Sequence, residues 1–274
     1  MNSITLNDLL NISNSQNAKV KFNIWNGEVD PLDEYLYDHD IVNNQWLFWR
    51  TDNRNFEEGQ IAICLVKVSL DIWLLTTVKC VTKELNVKNG INYEGEELES
   101  CKKYFGRVLV KYHKTAQAMC QYYKSISDNL IVNQILPTPY DGADFPGYDN
   151  VRLTYRQLKS IIDHGKRDWV SALENQKAVY LLTDTNNGKL YVGSATSQND
   201  MLLGRWKSYV SNGHGGNVSL KKLVSEHGIE YVQKYFIYTI LENFNSKVDD
   251  NYVLNRESWW KDVLYTRKFG YNEN

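Results

Sequence analysis

A short turn between two apolar runs is the feature that most constrains what this chain can fold into. Residues 178–183 and 190–194 are rich in β-branched and aromatic side chains, and the segment between them contains Asn187-Gly188. Asn-Gly is a strong hairpin signal, because both positions tolerate positive φ angles. The sequence therefore predicts two antiparallel strands joined by a tight turn.

The predicted hairpin brings two tyrosines to one face of a sheet. With Asn187 and Gly188 as the tip, Asp184 pairs with Tyr191, and Tyr180 lies on the same face because side chains alternate along a strand. A four-residue loop keeps this parity, whereas a three-residue loop reverses it. Two tyrosines in strands can simply be packing residues of a sheet, so the remaining segments must decide whether these have a function.

The residues after the hairpin alternate between helix and strand patterns. Helices are predicted over 202–209 and 219–227, a strand over 235–241, and a last helix over 253–264. A glycine-rich loop, 213–217, separates the first two helices. This half of the chain is therefore expected to form a sheet flanked by helices.

Glu257 lies in an apolar stripe of the last predicted helix. Val253 and Trp260 recur around it at spacings of three and four residues, which places them on one helix face. A carboxylate buried among apolar side chains is costly unless it has a partner. Glu257 is therefore expected either to pair with an arginine or lysine or to hold a metal ion.

The order of these features resembles the GIY-YIG nuclease superfamily over residues 176–274. The first motif is present as Ala178-Val179-Tyr180 and the second as Tyr191-Val192-Gly193, followed by Arg205, Glu257 and Asn272. Two departures are Ala178 in place of the first glycine and a longer gap before Arg205. The resemblance implies a small domain with a three-stranded antiparallel sheet flanked by helices, and a metal-dependent DNA endonuclease.

The resemblance also implies catalytic roles. Glu257 would hold Mg²⁺, with Mn²⁺ able to substitute, and Arg205 would contact phosphate oxygens in a bidentate manner. Tyr180 would act as general base if nearby positive charge favours its phenolate, and Tyr191 would bind the water or the phosphate. His214 is an alternative base. The other interpretation of Arg205 is an ion pair with Glu257 or a surface position, and that of His214 is a solvated turn residue.

Further residues are assigned to anchoring and to nucleic-acid contact. Asn272 is expected to anchor either the phosphate or the backbone. The residues expected to contact DNA are Lys207, Tyr209, Lys221 and Lys222, although each lysine can also be an ordinary exposed side chain.

The first half of the chain is expected to form a separate domain. Short strands within residues 46–136, with one helix over 115–123, suggest a small barrel-like domain. A Pro-, Gly- and Asp-rich segment from residue 137 contains three of the four prolines and marks the junction. The predicted division is an N-terminal strand-rich domain over 1–145, a linker and helix over 146–175, and the nuclease domain over 176–274.

Aromatic side chains suggest a function for this first domain. Trp46, Trp49, Trp73, Tyr122 and Tyr123 lie among its predicted strands. They can form a pocket that reads bases, including modified ones, or they can form the core of the barrel. Dimerisation and restraint of the nuclease are further roles left open.

Charge and cysteine content narrow the class of protein. Residues 1–150 hold 14 basic and 20 acidic side chains, whereas residues 151–274 hold 17 and 13. Only the second half therefore suits phosphate contact. The four cysteines form no close pair, so free thiols are expected rather than a zinc site or disulfides. No signal peptide or membrane span is evident, and a cytoplasmic protein is expected.

Together these features predict an α+β protein with a small nuclease domain behind a strand-rich, barrel-like domain. The expected function is a Mg²⁺-dependent endonuclease acting on double-stranded DNA in restriction or antiviral defence, with target recognition by the first domain. One site per chain would cut both strands as a homodimer or by two successive nicks. The alternatives are a repair or mobile-element enzyme with the same chemistry, and a catalytically silent protein that keeps the fold and binds nucleic acid.

Overall fold

A computed structural model describes residues 3–12, 17–197 and 201–273. The chain forms two compact units, residues 1–140 and 141–274, each built from both helices and strands. The protein is thus of mixed α+β class. No helix in the described ranges combines the length and the apolar character needed to cross a bilayer.

The first unit contains nine strands and two α-helices in its described residues. The strands are β1 (Ala18–Asn23), β2 (Trp49–Arg50), β3 (Ile61–Ser69), β4 (Ile72–Glu84), β5 (Gly90–Ile91), β6 (Tyr93–Glu97), β7 (Val108–Lys111), β8 (Cys120–Tyr122) and β9 (Ile131–Ile135). The helices are α1 (Leu6–Leu10) and α2 (Pro31–Tyr37), with a π-helical turn at Ile41–Trp46 and 3₁₀ turns at Glu99–Tyr104, Tyr123–Ser125 and Ser127–Asn129.

Seven of these strands form one mixed sheet. Its order is β8-β1-β3-β4-β7-β9, with β6 also paired to β4, and only the β1–β3 pair is parallel. Strand β3 is buried on both faces: Ile63 and Leu65 belong to one core, whereas Cys64 and Val66 belong to the core on the opposite face. β8 and β9 end the strand order, so the sheet is open rather than a closed barrel.

The helix predicted over residues 115–123 is wrong. Cys120–Tyr122 is strand β8, which pairs antiparallel with β1, and Tyr123–Ser125 is a 3₁₀ turn. The free edge of β1 offers backbone hydrogen bonds to this segment, and this tertiary pairing overrides the local helical pattern.

The second unit begins with a short strand and two helices. Its elements are β10 (Arg152–Thr154), α3 (Tyr155–His164), α4 (Arg167–Glu174), β11 (Gln176–Asp184), β12 (Leu190–Ala195), α5 (Met201–Asn212), α6 (Val218–His227), α7 (Ile229–Tyr235), β13 (Phe236–Asn245), α8 (Asp250–Val263) and α9 (Thr266–Phe269), with a 3₁₀ turn at Tyr148–Asn150. Thr154 caps α3, since its hydroxyl accepts from the Gln157 amide. Gly165, with φ 61°, ends α3, so Trp169 belongs to a separate helix.

The sheet of this unit has the order β10-β13-β11-β12, and all its pairs are antiparallel. The expected three-stranded sheet is therefore extended by a fourth strand, β10, because residues 152–154 pair with β13. Side chains alternate along β11: Tyr180 and Leu182 enter the main core, whereas Val179 packs with Val253 of α8 on the other face. Helices thus cover both faces, and β12 forms one edge.

Candidate active site

The hairpin of β11 and β12 sets the positions of the two tyrosines. Tyr180 lies opposite Gly193, and Leu182 lies opposite Tyr191. The loop has four residues, since the Asp184 amide donates to the Lys189 carbonyl at 2.9 Å. The predicted pairing of Asp184 with Tyr191 is therefore two residues out of register. The parity is as predicted, and both tyrosines lie on the same face.

Gly193 makes room for the Tyr180 ring. A Cβ atom added to this glycine would lie 2.5 Å from Tyr180 Oη and 2.6 Å from its Cζ. Such contacts are far closer than van der Waals distance, and Tyr180 is fully buried and has no space to retreat into. The glycine of the second motif is therefore required by the tyrosine of the first.

Arg205 of α5 is held by three acceptors. Its Nε donates to Tyr180 Oη at 2.9 Å, Nη1 to the Gly215 carbonyl at 2.6 Å, and Nη2 to Tyr209 Oη at 3.5 Å. A guanidinium has five N–H groups, so two have no acceptor among the described residues and can serve a ligand. The side chain is half-buried. These contacts, rather than an ion pair with Glu257, fix its position.

Tyr180 and Tyr209 are both buried phenols, and this contradicts the predicted role of Tyr209. Their hydroxyl groups are 3.1 Å apart, and both side chains have no exposed surface. Burial, reinforced by Tyr191, raises the pKa of Tyr180 although Arg205 opposes the shift. The positive charge of Arg205 alone therefore does not outweigh burial, and the role of Tyr180 as general base stays a prediction. Burial likewise raises the pKa of Tyr209, which cannot contact nucleic acid as predicted, because its ring is inside the core.

Tyr191 differs from these two phenols. Its ring packs edge-on against Tyr209, with centroids 6.4 Å apart, and the residue keeps 6% of its surface exposed. Within the described part of the chain, its hydroxyl makes no hydrogen bond and is not among the fully buried polar atoms. Tyr191 can therefore bind a water molecule or a phosphate oxygen.

His214 lies in the loop that also holds Arg205. The Asn212 carboxamide oxygen accepts from the His214 and Gly215 amides, and the Gly216 amide donates to His214 Nδ1 at 3.0 Å. This bond places the proton of the neutral ring on Nε2. Burial and the nearby Lys221 lower the pKa of His214, which favours that neutral form. In this arrangement Nε2 is a hydrogen-bond donor, not a base.

Glu257 approaches β12 from the opposite face. Its Oε2 accepts a hydrogen bond from Ser194 Oγ, and its Oε1 pairs with Lys261 Nζ at 2.8 Å. The Glu257 side chain is 13% exposed. Of the two alternatives for this carboxylate, pairing with a lysine is therefore present. Ser194 directly follows Gly193, so a single peptide bond links the Tyr180 side of the site to the Glu257 side.

Asn272 clamps the backbone of the edge strand. Its Oδ1 accepts from the Val192 amide at 2.9 Å, and its Nδ2 donates to the Val192 carbonyl at 2.8 Å. The residue is 3% exposed. Of the two anchoring roles considered for Asn272, these contacts satisfy the backbone one.

The three lysines predicted to contact DNA lie on the surface, whereas two side chains that contact Glu257 were not predicted from the sequence. Lys207, Lys221 and Lys222 are exposed, and Lys222 faces Glu226 at 4.0 Å. Ser194 and Lys261 were not anticipated. The i,i+4 spacing of Glu257 and Lys261 on a helix was the available signal for the second of them.

The side chains near Glu257 can be compared with those that a Mg²⁺ ion needs as ligands. Among the described residues, no three His, Cys, Asp or Glu side chains come together in a way that could hold a metal ion. Mg²⁺ often binds one or two carboxylates and takes its other ligands from water and phosphate. Glu257 fits such a single-carboxylate site, although the ion would compete with the Lys261 ammonium.

Comparisons with known proteins give two solved structures. No family model and no curated protein matches the chain. A mutant of the catalytic domain of the intron endonuclease I-TevI is 25% identical over 36% of this chain and 94% of its own, with a TM-score of 0.28. The catalytic domain of the homing endonuclease I-TevI is 26% identical over 35% and 96%, with a TM-score of 0.27. These TM-scores are too low to establish a shared fold, so the chemistry of the site must support any function.

Proposed function

We propose that the second unit is a GIY-YIG-type endonuclease that hydrolyses phosphodiester bonds in DNA. The observation that carries this proposal is the Arg205 guanidinium, which three acceptors hold in place while two N–H groups stay unused. The unpaired hydroxyl of Tyr191 lies on the same face of the hairpin as Tyr180, to which Arg205 donates. A fixed guanidinium beside a free hydroxyl suits a phosphate group.

The phosphate would be bound from the core side of β12. Arg205 would supply its two remaining N–H groups, one on each terminal nitrogen, to phosphate oxygens, and such charged bonds gain strength in a half-buried position. Tyr191 would orient the attacking water or a further oxygen, and His214 Nε2 would donate a hydrogen bond to the phosphate or to the departing oxygen. Tyr180 and Tyr209 act through Arg205, because neither hydroxyl is accessible.

Glu257 is the residue that would hold Mg²⁺. When bound, the ion supplies positive charge that stabilises the transition state and the departing oxygen. Ser194 orients the carboxylate, since its hydroxyl donates to Oε2. In the absence of the ion, the Lys261 ammonium pairs with the carboxylate and balances its charge in a position that is mostly shielded from water.

DNA is proposed as the substrate because exposed cations lie on the helices next to the site. Lys207 on α5 and Lys221 on α6 are exposed and suit contact with backbone phosphates. A separate first unit suits target recognition, and the combination suits restriction or defence against phage. Cleavage of both strands would then require a second copy of the chain or two successive nicks.

The decisive experiment is cleavage of supercoiled plasmid and of modified and unmodified phage DNA, with Mg²⁺ or Mn²⁺ and with EDTA. Glu257→Gln should lower the cleavage rate by at least about a hundredfold, which is a typical cost of losing a group that stabilises transition-state charge. The matched control is Glu226→Gln, because Glu226 also belongs to an i,i+4 pair with a lysine but is exposed.

Equal cleavage by wild type and Glu257→Gln would refute the proposal. Binding of DNA by wild type without any cleavage under these conditions would instead support the catalytically silent alternative. EDTA-resistant cleavage that still depends on Arg205 would remove the metal from the mechanism and leave the phosphate site in place.

A further inference from the structure

A large cavity in the first unit has no role in the chemistry above. Its volume is about 800 Å³, within the range of sites that bind small molecules. It is lined by the end of β1 and the residues after it, the π-helical turn, β2 and the segment before β8. Aromatic rings, side-chain amides and two buried cations all face this one space.

Three tryptophans line the cavity: Trp25, Trp46 and Trp49. Trp25 is 62% exposed and Trp49 is 48% exposed, which is unusual for the largest apolar side chain. In the part of the chain that the structure describes, none of the three packs against another aromatic ring, and none of their indole N–H groups finds an acceptor. Clustered aromatic surface of this kind marks a binding site.

Other tryptophans of the chain show the contrast. The indole nitrogens of Trp73, Trp169 and Trp260 each donate to an oxygen at 2.8 or 2.9 Å. Each of these rings also packs against another aromatic side chain. Trp206 and Trp259 also pack against aromatic rings, but their indole nitrogens find no acceptor among the described residues. The lack of an aromatic ring contact is therefore what distinguishes the cavity tryptophans.

The cavity also contains an unused polar atom. Asn23 is 3% exposed, and its Nδ2 donates to Cys64 Sγ at 3.2 Å and to the Leu65 carbonyl at 3.3 Å. Its Oδ1 accepts no hydrogen bond from the described residues. This oxygen is not among the fully buried unpaired atoms of the described residues, so it is open to the cavity and can accept a hydrogen bond from a bound molecule.

A cation in the wall limits the charge of the ligand. Lys21 is 8% exposed and donates to the Trp49 carbonyl, whereas the charge of Arg50, which is 5% exposed, is balanced by Glu84 at 3.6 Å. Burial lowers the pKa of Lys21 to about 8, so the ammonium is still largely charged at neutral pH. Positive charge in the wall disfavours a quaternary ammonium or a methylated lysine, the usual ligands of aromatic cages. It favours a neutral or anionic ligand.

We propose that this cavity binds a nucleobase that has left the stack of a DNA strand. A base is flat, so its faces stack on indole rings, and its edge carries donors and acceptors that suit Asn23 Oδ1 and the unused indole N–H groups. The first unit is acidic overall and poorly suited to broad backbone contact. Insertion of one base would provide recognition without such contact.

This proposal rests on the proposed function only for the choice of DNA as the source of the base. It is tested with the full chain carrying Glu257→Gln, which should leave DNA intact. The probes are the four deoxynucleoside monophosphates, 5-methyl- and 5-hydroxymethyl-dCMP, and a duplex with 2-aminopurine directly next to the target base, whose fluorescence rises when the target base leaves the stack. Binding of the monophosphates is followed by quenching of tryptophan fluorescence.

Trp25→Ala and Trp49→Ala should each weaken binding of the preferred nucleotide at least about fivefold, the lower end of what a base–aromatic stack contributes. Both side chains are exposed, so the fold should tolerate the changes. Tyr37→Ala is the matched control, because Tyr37 is 47% exposed at the end of α2 and does not line the cavity. The 2-aminopurine signal should rise with wild-type cavity residues and be lost in Trp49→Ala.

Nucleotide binding that is absent, or that is unchanged by both tryptophan substitutions, would overturn the inference. So would saturable binding of choline or of a neutral sugar in preference to every nucleotide. The nuclease proposal fails separately: if nucleotides bind through Trp25 and Trp49 but no form of the chain cuts DNA, only the assignment of the second unit is wrong.

Discussion

The hydroxyl of Tyr180 is the group on which the position of Arg205 depends most. It accepts the Nε–H of Arg205 at 2.9 Å and lies 3.1 Å from the hydroxyl of Tyr209. Tyr180→Phe removes this one oxygen and keeps the ring, which is fully buried among core residues. The substitution therefore tests the hydrogen bond with little effect on packing.

The expected cost follows from the charge of the donor. A hydrogen bond to a charged group contributes about 1.5–3 kcal/mol, and the half-buried Nε–H would be left without an acceptor. Tyr180→Phe should thus lower the free energy of unfolding by about 2–3 kcal/mol. Tyr209→Phe removes a neutral bond and a long contact of 3.5 Å to Arg205, so about 1 kcal/mol is expected.

Hydrogen exchange followed by mass spectrometry measures this difference in the second unit alone. Peptides from β11 and β12 report the opening free energy of that sheet, independently of the first unit. In cleavage assays, Tyr180→Phe should reduce activity while leaving the shape of the pH profile unchanged, because a buried phenol with a raised pKa is not the group that titrates. The reasoning would be refuted if Tyr209→Phe lowered the opening free energy as much as Tyr180→Phe does. It would also be refuted if Tyr180→Phe removed an alkaline limb from the pH profile of cleavage.

Three other substitutions test further parts of the structure. Asn272→Ala should lower the opening free energy of this sheet by about 2–4 kcal/mol in the same exchange experiment, because it leaves two backbone groups of the edge strand unpaired. The control Asn255→Ala, on the exposed side of α8, should change that free energy by less than about 0.5 kcal/mol. Lys261→Met should lower the Mg²⁺ concentration that gives half-maximal cleavage by about fivefold, because the ion no longer competes with an ammonium for Glu257. If that Mg²⁺ concentration is unchanged, Glu257 is not the metal ligand. Burial raises the pKa of the Cys64 thiol from 9.0 to about 11, so the stability that depends on the neutral thiol is present below pH 9 and lost as the pH rises to 11. Urea unfolding should therefore show a smaller alkaline loss in Cys64→Ala than in wild type.

Local signals were sufficient for much of the second unit. The Asn187-Gly188 turn and the apolar run over residues 178–183 each depend on a few neighbouring residues, and the corresponding hairpin is present. Helix α8 was predicted from its apolar spacing, and the structure extends it by one turn at the start, to Asp250. These elements needed no information about their tertiary partners.

Predictions that depend on tertiary contacts were less successful. The fourth strand has only three residues, Arg152–Thr154, and exists because β13 offers it an edge. Tyr209 looks like a surface residue in the sequence, yet its position on α5 directs it onto Tyr180. In the first unit, Trp73 and Tyr123 proved to be core residues, whereas Tyr122 is exposed and Trp46 and Trp49 line the cavity.

The position of Trp25 in the cavity wall also could not be predicted from the local sequence. Nothing in the local sequence 24–26 distinguishes a cavity wall from a loop, because the cavity arises only when the end of β1 meets β2 and the π-helical turn. An aromatic side chain between an isoleucine and an asparagine suits either setting. Its role therefore depends on segments up to about one hundred residues apart in the chain.

The edge position of β12 accounts for the form of the candidate active site. In the interior of a sheet, side chains on opposite faces are separated by neighbouring strands, whereas at an edge a ligand can reach both faces. The proposed phosphate site would take Tyr191 from one face of β12 and Glu257, held by Ser194, from the other. An open edge also invites pairing with another strand. Asn272 occupies the backbone groups of Val192 at this edge, so the residue that positions the strand also keeps other strands away from the site.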